Sequence, residues 1–171
     1  DAVVAGLLDP SGFNPDAQRM IAWTCGQLHG RATRFFEQVP LMLRASGFRC
    51  VHGAPVKPRK FYYVTNEKVA RACWRHAAEP LLFVGHTHKP CVHRLEPGGA
   101  YELCRAGDFT LRENHRYVVN VGSVGMPRDK DFRAAYCLYD QAKRTVRFCR
   151  VPFDLEAFRA EVGARIGHSK Q

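Results

Sequence analysis

The stretch Leu81-Leu82-Phe83-Val84-Gly85-His86-Thr87-His88-Lys89-Pro90 constrains this chain more than any other. A short apolar run with a β-branched residue reads as a buried strand, and it stops at a glycine, two histidines and a proline that no strand interior accommodates. If the backbone stayed extended, His86 and His88 would point to opposite faces. Gly85 and Pro90 instead signal a turn that lets both imidazoles face one cleft. Imidazole is the commonest side-chain ligand of transition metals. On its own the pair is equally a metal-binding element or two histidines in a polar loop.

The rest of the chain gives this stretch a setting. At 171 residues, 46% of them hydrophobic, it is long enough to bury a core, and one globular unit is expected. No run of eighteen apolar residues and no signal-peptide layout is present, so no membrane partner is expected. The seven cysteines are odd in number and never in Cys-x-x-Cys spacing. They read as reduced residues of a cytoplasmic protein rather than a disulfide frame or zinc ribbon. A net charge of +10 points to an anionic ligand such as a phosphate ester or nucleotide, with nucleic acid possible but not favoured.

Asn14-Pro15-Asp16 is a helix start, followed by helical patterning to about Leu28, and a second helix is expected from Ala32 to Val39. Strands are expected at Leu41 to Leu43 and Phe48 to Val51, the latter running into His52-Gly53-Ala54-Pro55. The segment Lys57-Pro58-Arg59-Lys60-Phe61-Tyr62-Tyr63 mixes cations with aromatics. It could bind phosphate and stack a base, but it reads first as a solvated loop with its aromatics turned inward. Thr65 or Asn66 caps a helix to Ala77 that feeds the strand at Leu81. Beyond Pro90 the pattern is mostly β, with hairpins at Cys91 to Cys104 and Ala134 to Val151, a further strand from Arg116 to Val121, and a possible one within Gly107 to Leu111. A final amphipathic helix, Leu155 to Ile166, is expected to place Leu155, Phe158, Val162 and Ile166 on one face.

The fold class is therefore α/β with an α+β tendency toward the carboxyl end. Open α/β sheets present ligands at the carboxyl ends of strands, which puts His52, His86 and His88 in one crevice. Three neutral imidazoles suit zinc, manganese, iron, cobalt or nickel. His29, His76, His93, His115 and His168 lie on helices, hairpins or the tail and read as background.

Val51-His52-Gly53, Gly85-His86-Thr87-His88-Lys89-Pro90 and Asn120-Val121-Gly122-Ser123-Val124-Gly125 resemble, in order and spacing, the later motifs of the calcineurin-like metallophosphoesterases, most closely their small prokaryotic phosphoesterase branch. Met126-Pro127-Arg128-Asp129 followed by a strand at Ala134 extends the resemblance over nearly the whole chain. It implies a β-sandwich flanked by helices and two divalent transition-metal ions (Mn, Fe, Zn, Co or Ni). By the same resemblance His52 and His86 serve one metal and His88 its neighbour. Gly53, Gly85, Asn120, Gly122 and Ser123 would be structural residues near the site. Arg128, Lys57, Arg59 and Lys60 are candidates to contact substrate.

The family's earlier motifs, an Asp-x-His pair, a Gly-Asp-x-x-Asp box and a Gly-Asn-His-Asp turn, are not in this sequence. Asp1 is placed like the last residue of that turn, where it would orient an acid histidine. The chain accordingly reads as the carboxyl-terminal part, residues 1–171, of a single metallophosphoesterase domain whose partner is its own N-terminal segment. The function implied is metal-dependent hydrolysis of a phosphodiester, nucleotide or phosphoprotein by a metal-bridging hydroxide, complete only with that segment. The alternative is a non-catalytic interaction scaffold on the same fold.

Overall fold

The computed structural model describes residues 3–166. They fall into two compact units, one containing residues 3–40 and 154–166, the other Leu41–Phe153.

The first unit is helical. Helix α1 (Pro15–Gln27) starts where the sequence asks, with the Asn14 side chain accepting from the Ala17 N–H at 2.9 Å, proline at the first position and Asp16 in the first turn. Helix α2 (Arg31–Gln38) follows, and α4 (Leu155–Ile166) is capped by Asp154, whose carboxylate accepts from the Ala157 N–H. The Arg165 guanidinium lies 5.9 Å from the centre of the Trp23 ring. The expected apolar face of α4 is only partly sequestered. Leu155, Val162 and Ile166 are half-buried while Phe158 is 39% exposed.

The second unit holds the strands. Six form one sheet in the order β1-β2-β3-β7-β4-β5, from β1 (Met42–Ala45), β2 (Phe48–Val51), β3 (Leu81–Val84), β4 (Cys91–Leu95), β5 (Tyr101–Arg105) and β7 (Arg116–Asn120). The central three, β2, β3 and β7, run parallel, with Phe83 opposite Cys50 on one side and Val119 on the other. The remaining strands β6 (Phe109–Thr110), β8 (Ala134–Asp140) and β9 (Thr145–Val151) form a second sheet in the order β6-β9-β8.

Alternation along the central strands explains the layering. Leu82, Val84 and Val118 pack with Ala70, Cys73 and Trp74 of helix α3 (Glu67–Arg75) on one face. Leu81, Tyr117 and Val119 point the other way into a core shared with Val146 of the small sheet, edged by Phe48, Phe83, Tyr139 and Phe148. A strand covered on both faces carries apolar residues at every position, hence the unbroken Leu81-Leu82-Phe83-Val84. The fold is the mixed α/β arrangement of sheets and flanking helix that the sequence implies. All seven cysteines are free. Among the described residues no helix is long and apolar enough to cross a membrane.

Two buried polar groups fix this core. The Arg49 side chain, 4% exposed, reaches Glu79 Oε2 at 2.6 Å and the His76 carbonyl at 3.1 Å. His93, taken from sequence as background, is fully buried, with Nδ1 2.9 Å from the Tyr101 hydroxyl. Glu79→Ala strands the guanidinium and is expected to lower unfolding free energy by about 3–5 kcal/mol in urea titration. Burial makes His93 less basic than an ordinary imidazole. The unfolded chain therefore accepts a proton that the folded one resists, and stability is complete above about pH 6.5 and falls as pH drops below it. His93→Gln should make that decline shallower in denaturation midpoints measured from about pH 7.5 to pH 5.

Candidate functional site

Because β2, β3 and β7 are parallel neighbours, their carboxyl ends reach the same edge of the sheet side by side. His52 follows the last residue of β2, His86 lies two residues beyond β3, and Asn120 ends β7. The ladder continues into the turns, with the Gly85 N–H donating to the His52 carbonyl and the Val121 N–H to the Val84 carbonyl, both at 2.9 Å. His52 Nε2 and His86 Nδ1 consequently lie 3.0 Å apart.

Asn120 is fully buried, and its amide organises the turn. Nδ2 donates to the Gly85 carbonyl at 2.6 Å and to Thr87 Oγ1 at 2.9 Å, while Oδ1 accepts from the Gly122 N–H at 3.0 Å. Both His86 (φ 67°) and His88 (φ 60°) have left-handed backbones. Such residues cost about 1–3 kcal/mol each and persist only where the surroundings over-determine them. The Asn120 bonds on either side of His86 supply that determination. A second clamp holds His88, whose carbonyl accepts from the Arg128 N–H at 3.0 Å and whose Nδ1 lies 2.8 Å from the Met126 carbonyl. Facing a carbonyl, Nδ1 of His88 must carry the hydrogen, which leaves the Nε2 lone pair free. The Ser123 hydroxyl accepts from the Met126 N–H, fixing the same loop. Gly122 is required twice over, by φ 86° and by a site at which an added Cβ would lie 2.7 Å from Ala135 Cβ.

The aromatic segment after Lys60 was not turned inward as the sequence suggested. Phe61 is half-buried, but Tyr62 and Tyr63 are 48% and 49% exposed. Tyr63 lies flat on His86, ring centres 4.1 Å apart and planes 12° from parallel. Phe61 meets the His52 ring edge-on at 5.9 Å. This segment is pinned to the His-Gly turn by the Ala54 N–H donating to the Tyr62 carbonyl, and a Cβ on Gly53 would lie 2.9 Å from the Phe61 carbonyl carbon. The sequence offered Tyr63 only as one of three consecutive aromatics; which ring would cover which histidine depends on turns the residue types do not announce. Lys57, Arg59 and Lys60 lie exposed in and beside the short 3₁₀ turn Pro58–Lys60.

Desolvation lowers the basicity of both His52 and His86, and neighbouring positive charge adds to it; His86 is pushed down to about 4. Lowered basicity favours the neutral imidazole, the form that a metal ligand needs. Two imidazole nitrogens bound tetrahedrally to one ion would lie about 3.4 Å apart, a few tenths of an ångström more than here. The His52–His86 spacing is that of a hydrogen bond, and two ligands on one cation would need that small separation. His88 does not join them: among the described residues no three His, Cys, Asp or Glu side chains converge where a metal ion could be held. The donor set fits half of a metal centre. Asp1 lies outside the described residues.

Replacing the Asn120 amide by a carboxylate turns two donors into acceptors facing a carbonyl and a hydroxyl. Asn120→Asp is expected to lower stability by about 2–4 kcal/mol and to shift the His86 and His88 imidazole NMR signals. Unchanged signals would show that the amide does not hold the turn.

No protein-family model matches the sequence. The chain is 30% identical over 148 residues to the uncharacterized protein MJ0912 of Methanocaldococcus jannaschii, an alignment taking in 84% of this chain and 58% of that protein. It thus spans less than two thirds of the length of the curated relative it matches. Against a metallophosphoesterase from Sphaerobacter thermophilus the TM-score is 0.76 at 29% identity, covering 95% of this chain and 67% of the other. Against the hypothetical protein PH1004 of Pyrococcus horikoshii it is 0.70, covering 95% and 64%, and at 18% identity that likeness concerns the fold. Likeness of this extent over 95% of the chain shows that it has the calcineurin-like metallophosphoesterase fold.

Proposed function

We propose that the protein hydrolyses phosphate esters with the help of divalent metal ions. The observation that carries this reading is the His52–His86 pair, 3.0 Å apart at the carboxyl edge of a parallel sheet. His52 and His86 would hold one ion and His88, through Nε2, a second; the ions could be Mn, Fe, Zn, Co or Ni. When bound, they would polarise the phosphoryl group and make a water molecule nucleophilic at neutral pH.

The chain's own residues supply the rest. Asn120 holds the strained turn that carries His86 in place. Arg128 hydrogen-bonds through its backbone to the His88 carbonyl, and its charge is felt at His86, so its guanidinium is suited to a phosphate oxygen. Lys57, Arg59 and Lys60 add positive field beside the aromatic segment. Three imidazoles without a carboxylate leave the centre short of ligands, so the reading includes a further segment of the same protein, carrying the acidic ligands and the acid histidine that Asp1 would orient. The competing reading, a scaffold without turnover, is favoured by the lack of a third converging ligand among the described residues.

Hydrolysis of bis(p-nitrophenyl) phosphate by the protein with that segment should require added Mn²⁺ and disappear in His86→Ala and His88→Ala, while His29→Ala stays within a few-fold of wild type. Metal-independent turnover would exclude the mechanism; bound metal with no turnover would favour the scaffold. In the present chain, calorimetry should show Mn²⁺ binding that weakens as pH falls and protons compete for the imidazoles. The lowered basicity of His52 and His86 delays that loss to below the usual imidazole range. Loss already complete near pH 7 would mean that these two histidines are not ligands.

A further inference from the structure

The aromatic segment carries more information than the histidines alone. Lys57 and Phe61 both have φ 49°, and with His86 and His88 they account for four of the seven non-glycine residues with left-handed backbones among those described. Left-handed geometry is a genuine outlier for a bulky side chain such as phenylalanine. The two outliers bracket the turn Pro58–Lys60 and bring Phe61 to Tyr63 back across the His52 turn, where the Gly53 approach and the Ala54–Tyr62 hydrogen bond lock them. Strain maintained in this way clusters where geometry serves binding.

What it produces is a stack. Tyr63 stacks one ring face on His86 and keeps 49% of its surface exposed, and among the described residues no second ring is stacked on it. Because the Tyr63 and His86 planes are within 12°, a third flat ring placed on Tyr63 continues the same stack. A ligand filling that position reaches the histidine edge one stacking step away, with the Lys57, Arg59 and Lys60 cations in the same segment. Alkyl chains and bare sugars have no planar π face to offer; a nucleobase has one, joined to phosphate through a short sugar.

We propose that Tyr63 is the base-stacking platform of a nucleoside phosphate site, so that the preferred phosphate esters carry a flat aromatic ring close to the phosphate. This deepens the phosphoesterase reading and rests on it for the chemistry, but it can be tested by binding alone. Tyr63 is a specificity residue here, and the histidines act at the phosphate.

The test compares AMP with ribose 5-phosphate, the same phosphate and sugar without the base, by calorimetry on the full chain, with Mn²⁺ titrated separately. AMP should bind about tenfold more tightly, the usual worth of one stacked base. Tyr63→Ala should erase the difference by weakening AMP only, Tyr63→Phe should keep it, and Tyr62→Ala should leave it unchanged; circular dichroism checks that each variant is folded. Equal affinities in the wild type, no binding of either ligand, or a preference that survives Tyr63→Ala would each overturn the platform. Mn²⁺ binding without a base preference sinks this inference alone. A base preference in a protein that, with its further segment present, neither binds Mn²⁺ nor hydrolyses the ester sinks the phosphoesterase reading and leaves the platform standing.

Discussion

Three parallel strands, apolar on both faces, must end at one edge of their sheet, and nearly everything about the candidate site follows from that constraint. Helix α3 covers one side of β2, β3 and β7 and the small sheet covers the other, so polar groups are admitted where the strands emerge. His52, Gly85-His86 and Asn120 stand at the carboxyl ends of their respective strands. Their proximity is a property of sheet register before it is a property of histidine chemistry. Asn120, the one fully buried side-chain amide among the described residues, converts that proximity into fixed geometry by bonding to its neighbour's turn and to its own.

Much of this could be read from residue order. Leu81 to Val84 is too short and too apolar to be anything but a covered strand, and the His-Gly, Gly-His-x-His and Asn-x-Gly-Ser turns mark three strand exits. The hairpins at Cys91–Leu95 with Tyr101–Arg105 and Ala134–Asp140 with Thr145–Val151 follow from alternation and turn residues. The fold class came through because each of these local signals agrees with the same layered arrangement.

What the residues did not announce was backbone state and side-chain partnership. Nothing in Phe61 or His86 signals a left-handed φ, since it is imposed by hydrogen bonds from distant positions. His93 reads as one more hairpin histidine, yet it is fully buried against Tyr101, a contact that depends on the β4–β5 register. His88 is a second case. Its sequence neighbours do not say that its Nδ1 meets the Met126 carbonyl while its own carbonyl accepts from the Arg128 N–H. In α4, helical periodicity was legible although Phe158 remains exposed, because periodicity states which residues share a face and not what covers them.

Gly53 has a wider consequence than the space it saves. With the Phe61–Tyr62 backbone seated where its side chain would be, the histidine turn and the aromatic segment form one mechanical piece, with no side chain between them to act as a cushion. A displacement of the Phe61–Tyr62 backbone therefore pushes against the same backbone that carries His52. The segment that carries Tyr63 and the turn that carries His52 are joined through main-chain contact, without an intervening hinge.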